Sequence, residues 1–115
     1  MHHFASDGSS DRPAPDARTG LWLVGARGSV ATTAILGLAA IADGRAAPTG
    51  CVTVSEPFAS APLPSFGDIV VGGHDISDVS MVKHAEQLVE AGMIAPRLLT
   101  AAHAALERAD AEVRP

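Results

Sequence analysis

Gly25-Ala26-Arg27-Gly28-Ser29-Val30-Ala31 carries the pattern G-x-x-G-x-x-A, a variant of the glycine fingerprint that seats a dinucleotide when it joins a strand to a helix. The chemistry such a turn offers is anion binding by the main chain. Gly28 lets backbone approach a pyrophosphate, and the first amides of the following helix, those of Ser29, Val30 and Ala31, lack helical acceptors and point at it. The helix dipole favours the same negative charge, and Arg27 adds a cation. A plainer account fits the same residues, since a strand-to-helix turn can need glycine for its backbone angles alone. The local pattern leaves both open. A nucleoside triphosphate is disfavoured, because no G-K-[ST] follows the glycines.

Two carboxylates are candidates to complete such a site. Glu56 lies 28 positions beyond Gly28, whereas the acidic residue that takes the ribose hydroxyls of NAD follows the fingerprint by about 20. A solvated loop carboxylate explains it better. Asp75 follows Ile69-Val70-Val71-Gly72-Gly73-His74, at the carboxyl end of an expected strand, where open parallel sheets bind ligands. The paired glycines would keep the floor of that crevice clear, although Asp75 is equally well accounted for as a turn or capping residue. His74, His84 and His103 have no carboxylate or cysteine at ligand spacing, so no metal site is expected, and His84 and His103 are read as helix-surface residues. With no G-x-S-x-G, no assignable triad, Cys51 in an apolar stretch and Lys83 on an exposed helix face, no catalytic residue is assigned.

The elements that must position these residues follow from periodicity. Leu21-Trp22-Leu23-Val24, closed by Gly25, reads as a strand buried on both faces. From Ser29 the pattern becomes helical, with Val30, Ala34, Ile35, Leu38, Ile41 and Ala42 as the apolar positions and Gly44 as the stop. Cys51-Val52-Thr53-Val54 is a weak strand candidate ahead of a proline-rich connection through Pro57, Pro62 and Pro64. Ile69-Val70-Val71 is a central strand between glycines. Met81, Val82, Ala85, Leu88 and Val89 then mark an amphipathic helix capped by Ser77 or Ser80 and ended by Gly92. A last helix starts at Pro96, with Leu98, Leu99, Ala102, Ala105, Leu106 and Ala109 inward and Arg97, Glu107, Arg108, Asp110 and Glu112 outward. No strand is expected after it. The expected fold is α/β, the opening of a parallel sheet with crossover helices.

The 115 residues carry 8 basic and 13 acidic side chains, for a net charge of −5, and are 47% hydrophobic but only 3% aromatic. One core built from Ala, Val, Leu and Ile is feasible at this length. The acidic balance and the single lysine exclude a nucleic-acid or anionic-membrane partner, which needs clustered cations. One cysteine excludes a disulfide framework and fits a reducing cytoplasm. Met1 to Arg18 is polar and proline-rich, without a signal-peptide core, and is expected to be a disordered tail in which His2 and His3 have no role. The apolar run from Val30 to Ala42 falls short of the roughly 20 residues of a membrane span.

Taken together, the blocks from Leu21 to Thr33, from Thr49 to Thr53 and Gly72-Gly73-His74-Asp75-Ile76-Ser77 resemble the amino-terminal part of the inositol-3-phosphate synthase (myo-inositol-1-phosphate synthase) family. The resemblance covers most of Gly20 to Pro115. It implies a partial Rossmann-like domain over residues 19–115 with NAD as cofactor, Gly25, Arg27, Gly28, Ser29 and Val30 on the cofactor turn, and Asp75 at the family's cofactor aspartate. Ser29 and Val30 stand where the family commonly has asparagine, Ala31 where it has glycine, and His74 where it has tryptophan. Main-chain donors survive these changes.

The resemblance also implies an isomerase of inositol and phospholipid biosynthesis that turns glucose 6-phosphate into inositol phosphate, oxidising the sugar with bound NAD and returning the hydride after ring closure. The family draws its catalytic lysines from a later portion that this chain does not contain, so the expectation is a truncated product supplying the cofactor half only. Two alternatives stand beside it: a non-catalytic fragment that needs a complementing chain or a homo-oligomer to cover its sheet edge, and the cofactor domain of another NAD(P)-dependent reductase.

Overall fold

The computed structural model describes residues 18–115; the tail expected over Met1 to Arg18 lies outside these residues except for Arg18. Three parallel strands, β1 (Thr19–Val24), β2 (Ile69–His74) and β3 (Val113–Arg114), form one sheet in the order β1-β2-β3. Between them run α1 (Ser29–Ala42), α2 (Met81–Glu90) and α3 (Pro96–Asp110). Strand β1 pairs with β2 along its whole length, from Thr19 opposite Ile69 to Val24 opposite His74. The match ends both strands at one level, and the turn after β1 and the loop after β2 therefore emerge side by side.

Chain order equals spatial order in this sheet, so both crossovers run the same way and their helices fall on one face. A single core joins them: Ile35 and Leu36 of α1, Met81, Ala85 and Leu88 of α2, and Ala102, Leu106 and Ala109 of α3, with Leu23, Val71 and Val113 of the sheet packed against it. Among the described residues no helix covers the opposite face. Trp22 is 55% and Val24 86% exposed there, which corrects the expectation of a first strand buried on both sides. The Trp22 ring instead lies over Gly72, where a Cβ would come within 3.0 Å of it, and meets the His74 ring edge-on at 5.1 Å.

The helices end where glycine permits a left-handed residue, α1 before Gly44 (φ +73°) and α2 before Gly92 (φ +77°). Ser80 caps α2 by accepting from the Lys83 amide at 3.1 Å, and Pro96 opens α3. Helix α1 is rotated from the expected face: it buries Ala31, Thr32, Ile35, Leu36 and Ala40, while Val30 is 86% exposed. Ten of the fourteen residues of α1 are apolar and they surround the helix, so its sequence states a helix without stating which side faces in.

Two expectations about strands fail. Val52–Val54 is a 3₁₀ turn, not a strand, and two further 3₁₀ turns, Phe58–Ser60 and Phe66–Asp68, complete the connection. The Cys51 amide is committed to the Pro48 carbonyl at 3.0 Å and the Val54 amide to that of Cys51 at 3.3 Å, so the local turn uses donors that a ladder would need. At the other end, Val113–Arg114 does form a strand, with Val113 opposite Gly73 and Arg114 opposite His74. Its neighbours hold it: Gly73 donates to the Glu112 carbonyl at 3.3 Å and Asp75 to that of Arg114 at 3.0 Å.

Candidate functional site

The turn between β1 and α1 is built on the end of β2. Gly25 adopts φ +85°, a left-handed conformation that glycine takes without steric cost, and its amide and that of Ala26 both donate to the His74 carbonyl, at 2.8 and 3.1 Å. Gly28 then donates to the Gly25 carbonyl at 2.9 Å, closing the bend. A Cβ on Gly28 would stand 3.1 Å from that same oxygen, so a larger residue would push the bend open. Below the bend, a Cβ on Gly73 would overlap the Leu23 carbonyl and lie 2.8 Å from the Ala26 Cβ. Close backbone approach thus excludes a Cβ at Gly73 and leaves little room for one at Gly28.

Gly28 is the N-cap of α1, in extended conformation and with no side-chain cap, and the first helical bond runs from Thr32 to the Gly28 carbonyl at 2.9 Å. The amides of Ser29, Val30 and Ala31 have no acceptor among the described residues. Three unpaired donors and the positive end of a fourteen-residue helix converge beyond the bend. This arrangement suits a diphosphate.

Arg27 and Asp75 do more than flank the turn. The Asp75 carboxylate accepts from the Arg27 amide at 2.8 Å through Oδ2 and from the Ser77 amide at 2.8 Å through Oδ1, stitching the bend after β1 to the loop after β2. Those amides, Ser77 first, with that of Ile76 and the Arg27 charge, hold its carboxyl below the usual carboxylate range against a smaller opposing effect of desolvation. The Arg27 guanidinium turns inward: Nε donates to Asp110 Oδ1 at 2.7 Å and Nη1 to the Ser77 carbonyl at 2.7 Å. With side chains 20% and 23% exposed, Arg27 and Asp110 form a half-buried ion pair that fixes the bend to the end of α3. Asp110, expected on the wet side of that helix, also accepts from the Met81 amide at 3.3 Å.

Sequence reasoning missed His84. Rather than lying free on the surface of α2, its Nδ1 is 2.6 Å from the Arg27 carbonyl and its Nε2 is 3.0 Å from Ser29 Oγ. The one signal available was its place three residues after Met81 and four before Leu88, beside the buried stripe of α2. The fold therefore gathers Gly25, Arg27, Gly28, Ser29, Val30 and Asp75 at one junction and adds His84 and Asp110. Glu56 remains on the exposed connection, and His74 faces the uncovered side of the sheet, its Nδ1 3.2 Å from the Pro115 carbonyl. Among the described residues no group of three His, Cys, Asp or Glu side chains is placed to hold a metal.

A parallel sheet, a glycine bend at its carboxyl edge and open amides on the following helix define a dinucleotide-binding α/β unit of Rossmann type. Residues 19–114 match the family model for myo-inositol-1-phosphate synthase, in its NAD-binding domain, and the chain belongs to that family. No curated protein matches the chain. Among the described residues no helix is long and apolar enough to cross a membrane.

Proposed function

We propose that the NAD diphosphate sits against the amides of Ser29, Val30 and Ala31, with Gly25 and Gly28 shaping the bend and Asp75 holding it against the loop after β2. The observation that carries this reading is the set of open amides at the first turn of α1 beside a bend with Gly25 at φ +85° and little room for a Cβ at Gly28. The cofactor, when bound, supplies a hydride acceptor that takes hydride from a sugar carbon and later returns it. The chain's own residues bind and orient it. Arg27 braces the bend through Asp110 and the Ser77 carbonyl, a different task from the direct diphosphate contact its position first implied.

The reaction served is the isomerisation of glucose 6-phosphate to inositol phosphate, in the cytoplasm and on the route to inositol phospholipids. An enolate and a sugar phosphate need cations beside them, and Lys83, the sole lysine, stands exposed on α2. The chain accordingly contributes the cofactor half and not the catalytic groups. Calorimetric titration with NAD, together with a turnover assay on glucose 6-phosphate, tests both parts. Binding that Gly28→Val abolishes, without turnover, is the expected result; no binding by the wild-type chain sinks the first part, and inositol phosphate formation the second.

The uncovered sheet face favours an accompanying reading, in which further polypeptide completes the domain. Trp22, Val24 and Val70 lie exposed on it, beside the unpaired edge of β1. NAD binding by a monomer would speak against a requirement for a complementing chain.

A further inference from the structure

We infer that His84 is a positioning residue of the dinucleotide site, setting through its proton the direction in which the Ser29 hydroxyl donates. This rests on the reading that a diphosphate lies at the first turn of α1. The Arg27 carbonyl can only accept, so at 2.6 Å the His84 Nδ1 carries a hydrogen and donates to it. In the neutral ring Nε2 is then a bare acceptor, and the only hydrogen available to its 3.0 Å contact with Ser29 is the serine's own. The hydroxyl is drawn toward His84 and presents lone pairs to the place an anion would occupy.

Protonation reverses this. Nε2–H becomes the donor, Ser29 Oγ the acceptor, and the hydroxyl hydrogen is released toward the helix terminus, where it becomes a fourth donor beside the amides of Ser29, Val30 and Ala31. The same proton brings a positive charge one hydroxyl away from the phosphates. Both changes favour the anion. The other charged groups around the ring are Asp75, whose amide bonds favour its ionised form, Arg27, paired with Asp110, Lys83, the ring's neighbour on α2, and Asp78, exposed in the loop before it.

NAD titrations of the full chain at several pH values, on wild type, His84→Gln and Ser29→Ala, test the inference. Affinity of the wild type is expected to rise about tenfold from pH 8 to pH 5.5, the yield of one charge-assisted hydrogen bond. His84→Gln is expected to bind with no such dependence, and Ser29→Ala, which keeps the imidazole charge but loses the hydroxyl donor, with a shallower one than the wild type. Nitrogen NMR of the His84 ring at pH 8 supplies a readout that needs no ligand, and the expected species is the Nδ1–H tautomer. An Nε2–H tautomer, acid tightening that persists in His84→Gln, or acid tightening undiminished in Ser29→Ala overturns the inference. Wild-type binding that ignores pH overturns it too while leaving the diphosphate site intact, whereas absence of binding at every pH removes both.

Discussion

Asp75 shows how a single carboxylate can be structural and still bear on ligand binding. Its two oxygens take amides from both sides of the junction, which keeps the bend after β1 open toward solvent. Because these bonds favour the ionised form, the folded protein binds the proton at lower pH than the unfolded chain does. The resulting stability is complete above the unfolded value, near pH 4, and is lost as pH falls through the lower, folded value. Urea unfolding between about pH 6 and pH 3 is expected to show this loss in the wild type and a shallower loss in Asp75→Asn. Identical acid slopes would mean that the carboxylate charge does not hold the junction.

Among the elements, α3 reaches the bend after β1 through one side chain. Asp110, at its last turn, holds the Arg27 guanidinium and the first amide of α2 together, so three segments meet at one carboxylate. Arg27→Met keeps the aliphatic stem and removes the donors; it is expected to cost about 1–3 kcal/mol in unfolding free energy and to weaken NAD binding by misplacing the bend. Chemical denaturation and NAD titration of the same variant check the two effects. A change below about 0.5 kcal/mol would show the pair to be solvent-screened.

What could be read from the sequence divides along physical lines. Gly25, Gly28, Gly44, Gly92 and Pro96 mark element ends because turn geometry is local, and each lies where a bend or helix limit falls. The junction of Gly25 to Val30 with Asp75 followed from the rule that parallel strands present their carboxyl ends together. The Ser29–His84 contact was not legible, since its partners stand 55 positions apart and only the packing of α2 against α1 joins them. Val52–Val54 carried strand composition without a half-buried surface to lie on, and two-residue β3 is too short for a periodic signal.

For the molecule as a whole, the one-sided layer arrangement leaves an apolar sheet face whose effect in solution can be measured. The helices shield one face of the sheet, and the other presents Trp22, Val24 and Val70 to water. Val24, 86% exposed on the edge strand, can be replaced by lysine with little loss of packing. Val24→Lys is expected to lower concentration-dependent association in analytical ultracentrifugation while leaving the unfolding midpoint within about 0.5 kcal/mol of wild type. Unchanged association would place the sticky surface elsewhere.

Strand order that repeats chain order also bears on biosynthesis. Each later strand leaves the ribosome after the neighbour it pairs with. The glycine bend, by contrast, is completed late: its brace at Arg27 awaits Asp110, and the floor beneath it awaits the last pairing at Val113. A nascent chain stalled before that point would carry the glycine bend without the ion pair and the strand pairing that hold it.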